Sequence, residues 1–360
     1  MTVPEKSTPR TPSRFRILDQ MRGFFIVVII IDHLSRWPSM WSAVTGKALV
    51  WVTAAEGFVI ISGMLVGYVR GFKNRALPML DVTKKLLGRA LVLYIWAVIG
   101  SIIYTVFVWY VPLQGGAPGM PIARGEFGQL ILQSVSLQYT YVWVHFLKLY
   151  AIFLALSPIA VWLLRTGRAW AVAGLSLIAL IIGWMTHSEA LQWQFLFFIP
   201  AIFGYYLEAC MAWWQRLNTR RQTVIAASLI SLTLATMVLS ALVTFHPEVV
   251  QALAQSTAPL FAKDSISLLR AGLAFLWFGG VFFIFRLLQP IIVRWFSWLL
   301  ESIGNRSLTA YILHGVAIII ISATTVSGSH FIVNSLLGLS AVLLVWVMLK
   351  IPGINRVIPS

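Results

Sequence analysis

The sequence predicts an all-α polytopic membrane protein, a single bundle of about ten transmembrane helices with both ends on the cytoplasmic side. Three observations predict it. Of the 360 residues, 59% are hydrophobic and 11% charged, against about 45–50% and 25% in soluble domains. Apolar runs that can cross a hydrocarbon core of roughly 30 Å, which takes about 20 helical residues, recur along the chain between Gly, Pro and charge punctuation. The basic residues gather in alternate connections, where cytoplasmic loops collect Lys and Arg.

Taken in order, the runs place spans near 17–35, 49–69, 88–111, 142–164, 169–186, 191–209, 223–245, 269–289, 307–326 and 331–349. They leave a basic tail over 1–16, a transmembrane domain over 17–350 and a short tail over 351–360. With the N-terminus inside, 21 of the 27 Lys and Arg fall on the inner side; Arg36, Lys47, Arg124, Lys148, Lys263 and Arg270 fall on the other. The net charge of +16 is therefore topological and implies no nucleic-acid partner. No small-residue cleavage site follows the first run, so it stays as a span rather than a removable signal. Cys210 is the single cysteine and forms no internal disulfide. Two outer connections are long, and the one over 111–140 contains the amphipathic piece GQLILQSVSLQ, expected to lie in the interface or to re-enter beside the bundle.

The first span, DQMRGFFIVVIIIDHL, carries charges that short loops would have held more cheaply. At about 100° per residue, the eleven steps from Arg22 to His33 make three turns plus about 20°, so both project from one face, about 16 Å apart along the axis. Asp19 lies within about 60° of Arg22, and Asp32 is turned about 80° from it. Snorkelling of Arg22 and emergence of Asp32 and His33 into water is the structural alternative. The second span adds Glu56 among apolar residues, and a carboxylate at depth costs a few kcal/mol unless paired or wetted. Gly57, Ser62, Gly63 and Gly67 permit a close helix contact. Pressed against the first span, Glu56 is expected to orient His33 or to meet Arg22.

Lys84, Lys85 and Arg89 open the third span. Lys85 and Arg89, four apart on one face, are candidates for the phosphates of a ligand arriving from the cytoplasm. His314, about two turns inside the ninth span, is either a packing histidine or a second polar member of the site. Trp51, Trp143, His145 and Lys148 lie on the outer side among tyrosines; such aromatics anchor at the interface or stack on a sugar. No metal-ligand spacing, Gly-rich phosphate loop or GxSxG elbow is present, so no metal is expected.

RILDQMRGFFIVVIIIDHL followed by TAAEGFVIISGMLVGYVRG resembles the OpgC family of bacterial membrane succinyltransferases, within the integral membrane acyltransferases of type three. The Arg-x10-His spacing of Arg22 and His33 is similar to the superfamily's signature. VWVHFLKLYAIFLALSP, WQFLFFIPAIFGYYLE and LESIGNRSLTAYILHG extend the likeness over nearly the whole chain. Thr53 and Lys148 depart from it, standing where Asp and Pro are expected. The resemblance implies a multi-pass protein of the bacterial cytoplasmic membrane. It implies transfer of an acyl group, succinyl among the candidates, from cytoplasmic acyl-CoA to a hydroxyl of an extracytoplasmic glycan. Acyl-CoA is then a donor substrate, with no tightly bound cofactor, and no oligomeric state is implied.

The stripe suits that chemistry. CoA phosphates near Lys84, Lys85 and Arg89 would send the extended arm along the first span to His33. His33 would act as general base or as transient acyl carrier, oriented by Asp32 or Glu56. Arg22 with Asp19 would hold the thioester or a terminal carboxylate of the donor. A transporter or flippase for a glycan or small anion, using the same charges as a pathway, is the alternative.

Overall fold

The computed structural model describes residues 13–111, 121–325 and 328–354, and every regular element among these is helical. The basic tail expected over 1–16 lies outside the described residues as far as Pro12, as does the C-terminal tail from residue 355.

Eight helices among the described residues are long and apolar enough to cross a membrane, and a bent pair adds a ninth. The first helix, α1 (Ser13–Leu34), falls outside that set because Asp19, Arg22 and Asp32 interrupt its apolar run. The main elements after it, short helical turns aside, are α2 (Ala54–Leu65, continued by wide π turns over Val66–Lys73), α3 (Met79–Tyr110) and the short α4 (Phe127–Val135). Then come α5 (His145–Arg165), α6 (Ala169–Thr186) and the bent pair formed by α7 (Phe195–Tyr205) and α8 (Leu207–Arg216). The chain closes with α9 (Thr219–Phe245), α10 (Leu268–Leu287), α11 (Ser297–Asn305), α12 (Ser307–Thr324) and α13 (Phe331–Met348).

Contacts bring Arg165 to the turn that holds Arg70 and Asn74, and Arg89 to Arg22, at one end, called the basic end, and Arg270 to Glu56 at the other, the far end. At the basic end Arg165 donates to the carbonyls of Arg70, Asn74 and Leu77, satisfying acceptors that the wide turn after α2 leaves open.

The centre of the bundle is α1, which packs against α2, α10, α11, α12 and α13. Its closest neighbour, α11, has no counterpart among the expected spans. The two backbones approach where Gly23 meets the carbonyl of Leu300 and Gly304 meets that of Asp19, positions where any Cβ would collide. A short helix with Ser, Glu and Asn among its apolar residues gives no span-length signal, so the sequence reads as a connection. Its Glu301 accepts from Arg16 and Gln20, both at 2.7 Å.

Three expectations change, and a fourth element takes a definite place. The second span starts at Ala54 rather than at 49, because Thr53 caps it. Its small-residue face meets α7, not α1: Gly63 and Gly67 lie on the backbone of Phe197 and Ala201, and Gly57 alone faces Phe25 of α1. The third helix starts at Met79, nine residues before the expected 88, since the chain between the basic cluster and the apolar run is itself helical. The amphipathic piece forms α4, which lies along α3 with Leu130 buried and Leu132 70% exposed.

Candidate active site

Two imidazoles meet where α1 and α12 cross. His33 Nδ1 lies 2.8 Å from His314 Nε2, and His314 Nδ1 is hydrogen-bonded to the carbonyl of Tyr311, one turn earlier on its own helix. A carbonyl only accepts, so His314 carries its proton on Nδ1 and leaves Nε2 as an acceptor. His33 must then donate from Nδ1, and its Nε2 keeps a lone pair. His314 is fully buried and His33 is half-buried. The chain Tyr311 carbonyl, His314, His33 thus ends on an open basic nitrogen.

The other end of the stripe is built around Arg22. Its Nη2 bonds to Ser307 Oγ at the start of α12, and Nη1 lies 3.8 Å from Asp19 Oδ1. Nε is buried without a hydrogen-bond partner. Arg22 and Arg89 line one small cavity with Phe58, Phe146, Tyr150 and Tyr311. At 10 Å³ it has room for about one water. Tyr311 joins the two ends: its ring walls this cavity, and its carbonyl fixes His314.

The model of a family described as OpgC protein matches residues 14–352. The chain belongs to the OpgC family. Membership points to a membrane acyltransferase-type role on glucans. No curated protein and no solved structure gives a match.

In this OpgC-family chain the remaining charges divide by partner. Glu56 meets neither His33 nor Arg22. Its Oε1 accepts from Arg270 Nε at 3.0 Å, and its Oε2 accepts from Thr53 N–H at 3.0 Å and from Thr53 Oγ. Arg270 in turn donates to the carbonyls of Ala262 and Ser265. Both charges are buried, Glu56 at 0% and Arg270 at 2% exposure. The reason is length: because the helix begins at Ala54, Glu56 stands in its first turn at the far end, where Arg270 opens α10. Arg270 is a residue that sequence reasoning missed. It counts in the sequence as one of six outer-side basic residues, at the very start of the span over 269–289, yet it sits three residues into the helix, where an unpaired charge is as costly as Glu56 and of opposite sign.

Asp32 faces Thr45, Ala48 and Lys263 in the far-end connections rather than His33. That follows from the turn of about 100° between adjacent helical residues; His314, not a carboxylate, orients His33.

Of the expected donor cluster, Arg89 points into the cavity beside Arg22, while Lys84 and Lys85 are exposed. On the far side His145 Nδ1 lies 2.7 Å from Thr140 Oγ1 and its Nε2 2.6 Å from Glu189 Oε2, so both ring nitrogens are engaged. Lys148 is half-buried near Glu189. The two tryptophans expected at the interface lie inside. Trp51 stacks on Phe261 at 4.2 Å under a far-end loop, and Trp143 packs on Tyr104 and Tyr141. Ser307, Tyr150 and Tyr311 join the site without any sequence signal beyond their place in polar-flanked apolar runs. Among the described residues no group of three or more His, Cys, Asp or Glu lies together as a metal site.

Proposed function

We propose that this chain is an integral membrane O-acyltransferase that moves an acyl group from acyl-CoA, bound from the basic end, to a hydroxyl of a glucan presented at the far end. The basic end is cytoplasmic, the far end extracytoplasmic, and with α1 counted the bundle has ten spans in a bacterial inner membrane. The observation that carries the reading is the open Nε2 of His33, held in one tautomer by His314 and Tyr311.

In the step, His33 Nε2 takes the proton of the acceptor hydroxyl as its oxygen attacks the thioester carbon. The new C–O bond forms, the C–S bond breaks, and the leaving thiolate recovers the proton from His33. The imidazolium formed midway shares its Nδ1 proton with His314, which steadies the charge without a carboxylate. Arg22 and Arg89 face one cavity and are suited to an anionic part of the donor. Its size means that the walls Phe58, Phe146 and Tyr311 must part for anything larger than water to lodge there.

The test is transfer itself. The purified protein in proteoliposomes, given radiolabelled acyl-CoA and a glucan on the opposite side, should place label in the carbohydrate. Label that stays with CoA or free acid under every acceptor would contradict the reading, and glucan carried across unmodified would favour a transporter.

A further inference from the structure

A cavity far larger than the one beside Arg22 lies apart from the histidines. A half-enclosed groove of 710 Å³ lies between α1, α9, α10 and the connection before α2. Neither His33, His314 nor Arg89 lines it. Phe24, Phe25 and Val28 form its α1 wall, about 160°, 60° and 120° round the helix from Arg22, so the groove lies beside the reactive stripe and does not include Arg22 or His33.

The groove has direction. Along α10 it is walled from Ala274 to Phe285, eleven residues or about 16 Å, close to half of a hydrocarbon core of roughly 30 Å. Because Arg270 opens α10 at the far end, this wall begins about a turn below that opening and reaches to within two residues of the helix's basic end, so the slot is deep enough to take a whole acyl chain entering from the far end. Met237 and Ala241 of α9 continue the apolar wall, and polar groups collect only at the mouth: Ser42, Thr45, Lys47, Thr53 and His246. The mouth also holds a cation with a fixed position. Lys47 Nζ stands 5.3 Å from the Phe245 ring centre and 5.8 Å from that of Trp37, and among the described residues it has no carboxylate partner. Glu248, the nearby anion, is taken by His246 at 3.3 Å.

An apolar slot whose polar groups and one ammonium without a carboxylate partner all gather at its far-end mouth suits an anionic headgroup carrying acyl chains. We propose that the groove binds an anionic phospholipid of the far-end leaflet, one acyl chain between α1, α9 and α10 and the phosphate on Lys47. Phosphate gains the Coulomb attraction of Lys47 there, and the chain exchanges bilayer hydrocarbon for the packed apolar walls of the slot.

Native mass spectrometry of the full chain tests this, with phosphatidylglycerol and phosphatidylcholine of identical chains supplied in equal amounts, and glycerol phosphate as the chain-free probe. Wild type should retain phosphatidylglycerol about fivefold over phosphatidylcholine, the fold-change of about 1 kcal/mol for one Lys beside an anionic headgroup. Lys47→Gln, which keeps a polar side chain at this half-buried position, should reduce that ratio to about one while keeping chain binding. Ala241→Trp, which fills the slot, should lose both lipids, and glycerol phosphate alone should not bind. Equal retention of the two lipids by wild type, an unchanged preference in Lys47→Gln, or displacement of the lipid by acyl-CoA would overturn the assignment.

Discussion

The bundle contains two buried polar clusters on α1 and α2, and they are finished differently. Around Glu56 every strong group is matched: one carboxylate oxygen meets Arg270, the other takes two donors from Thr53, and Arg270 spends its remaining protons on carbonyls. Around His33 the chain of hydrogen bonds runs in one direction and stops at a free nitrogen. A closed network rigidifies and fixes a helix start. An open one has a lone pair left for a reacting group. The comparison assigns stability to the first cluster and chemistry to the second, although depth and charge alone would rank Glu56 as the stronger catalytic candidate.

The sharpest way to break that comparison is to exchange the consequences. His33→Ala should lower transfer by about 10²- to 10⁴-fold, the range for loss of a general base, with thermal stability near wild type; undiminished turnover of a monodisperse variant would remove His33 from the mechanism. Arg270→Met should do the reverse, destabilising by about 3–5 kcal/mol because it leaves Glu56 buried and unpaired. Glu56→Gln together with Arg270→Met should recover much of that loss, read as thermal midpoints of the single and double variants, while turnover per folded molecule stays close to wild type.

Smaller effects sharpen the assignment of roles. His314→Leu removes the acceptor of the His33 proton, a hydrogen bond worth about 0.5–1.5 kcal/mol. Turnover should fall by about tenfold and the pH dependence should move, since His33 can then take either tautomer. His314→Gln offers an amide oxygen in place of Nε2 and should restore part of both; equal losses in the two variants would mean that His314 only fills space. Thr53→Ala is the mildest. It strips one donor from Glu56 and should cost about 1 kcal/mol, visible in melting and not in turnover.

How far the sequence foretells this site depends on the range of the interaction. The stripe from Arg22 to His33 is periodicity within one helix, and it holds. His314 is visible as a histidine deep in an apolar run, but which atom it touches depends on how α12 crosses α1, a matter of packing that no local pattern encodes. Glu56 is misplaced by five residues of helix boundary, enough to move it from about two turns inside the span to a first turn beside Arg270. Arg270 itself is hidden by topology: as one of six basic residues on the minority side it counts as an exception to the charge bias, when its position inside α10 marks it as a partner for a buried acid. Trp51 is covered by Phe261, brought from a connection over 200 residues away in sequence, so its aromatic character reads as an interface anchor until the loop is seen.

The central claim is that His33 presents a bare Nε2 because His314 and Tyr311 dictate the tautomers of both rings. Nitrogen-15 magnetic resonance of the histidine-labelled protein in lipid, assigned with His33→Ala and His314→Gln, measures this directly. The account predicts a proton on Nδ1 of both rings and none on either Nε2 near neutral pH. A proton resident on Nε2 of His33 would contradict it.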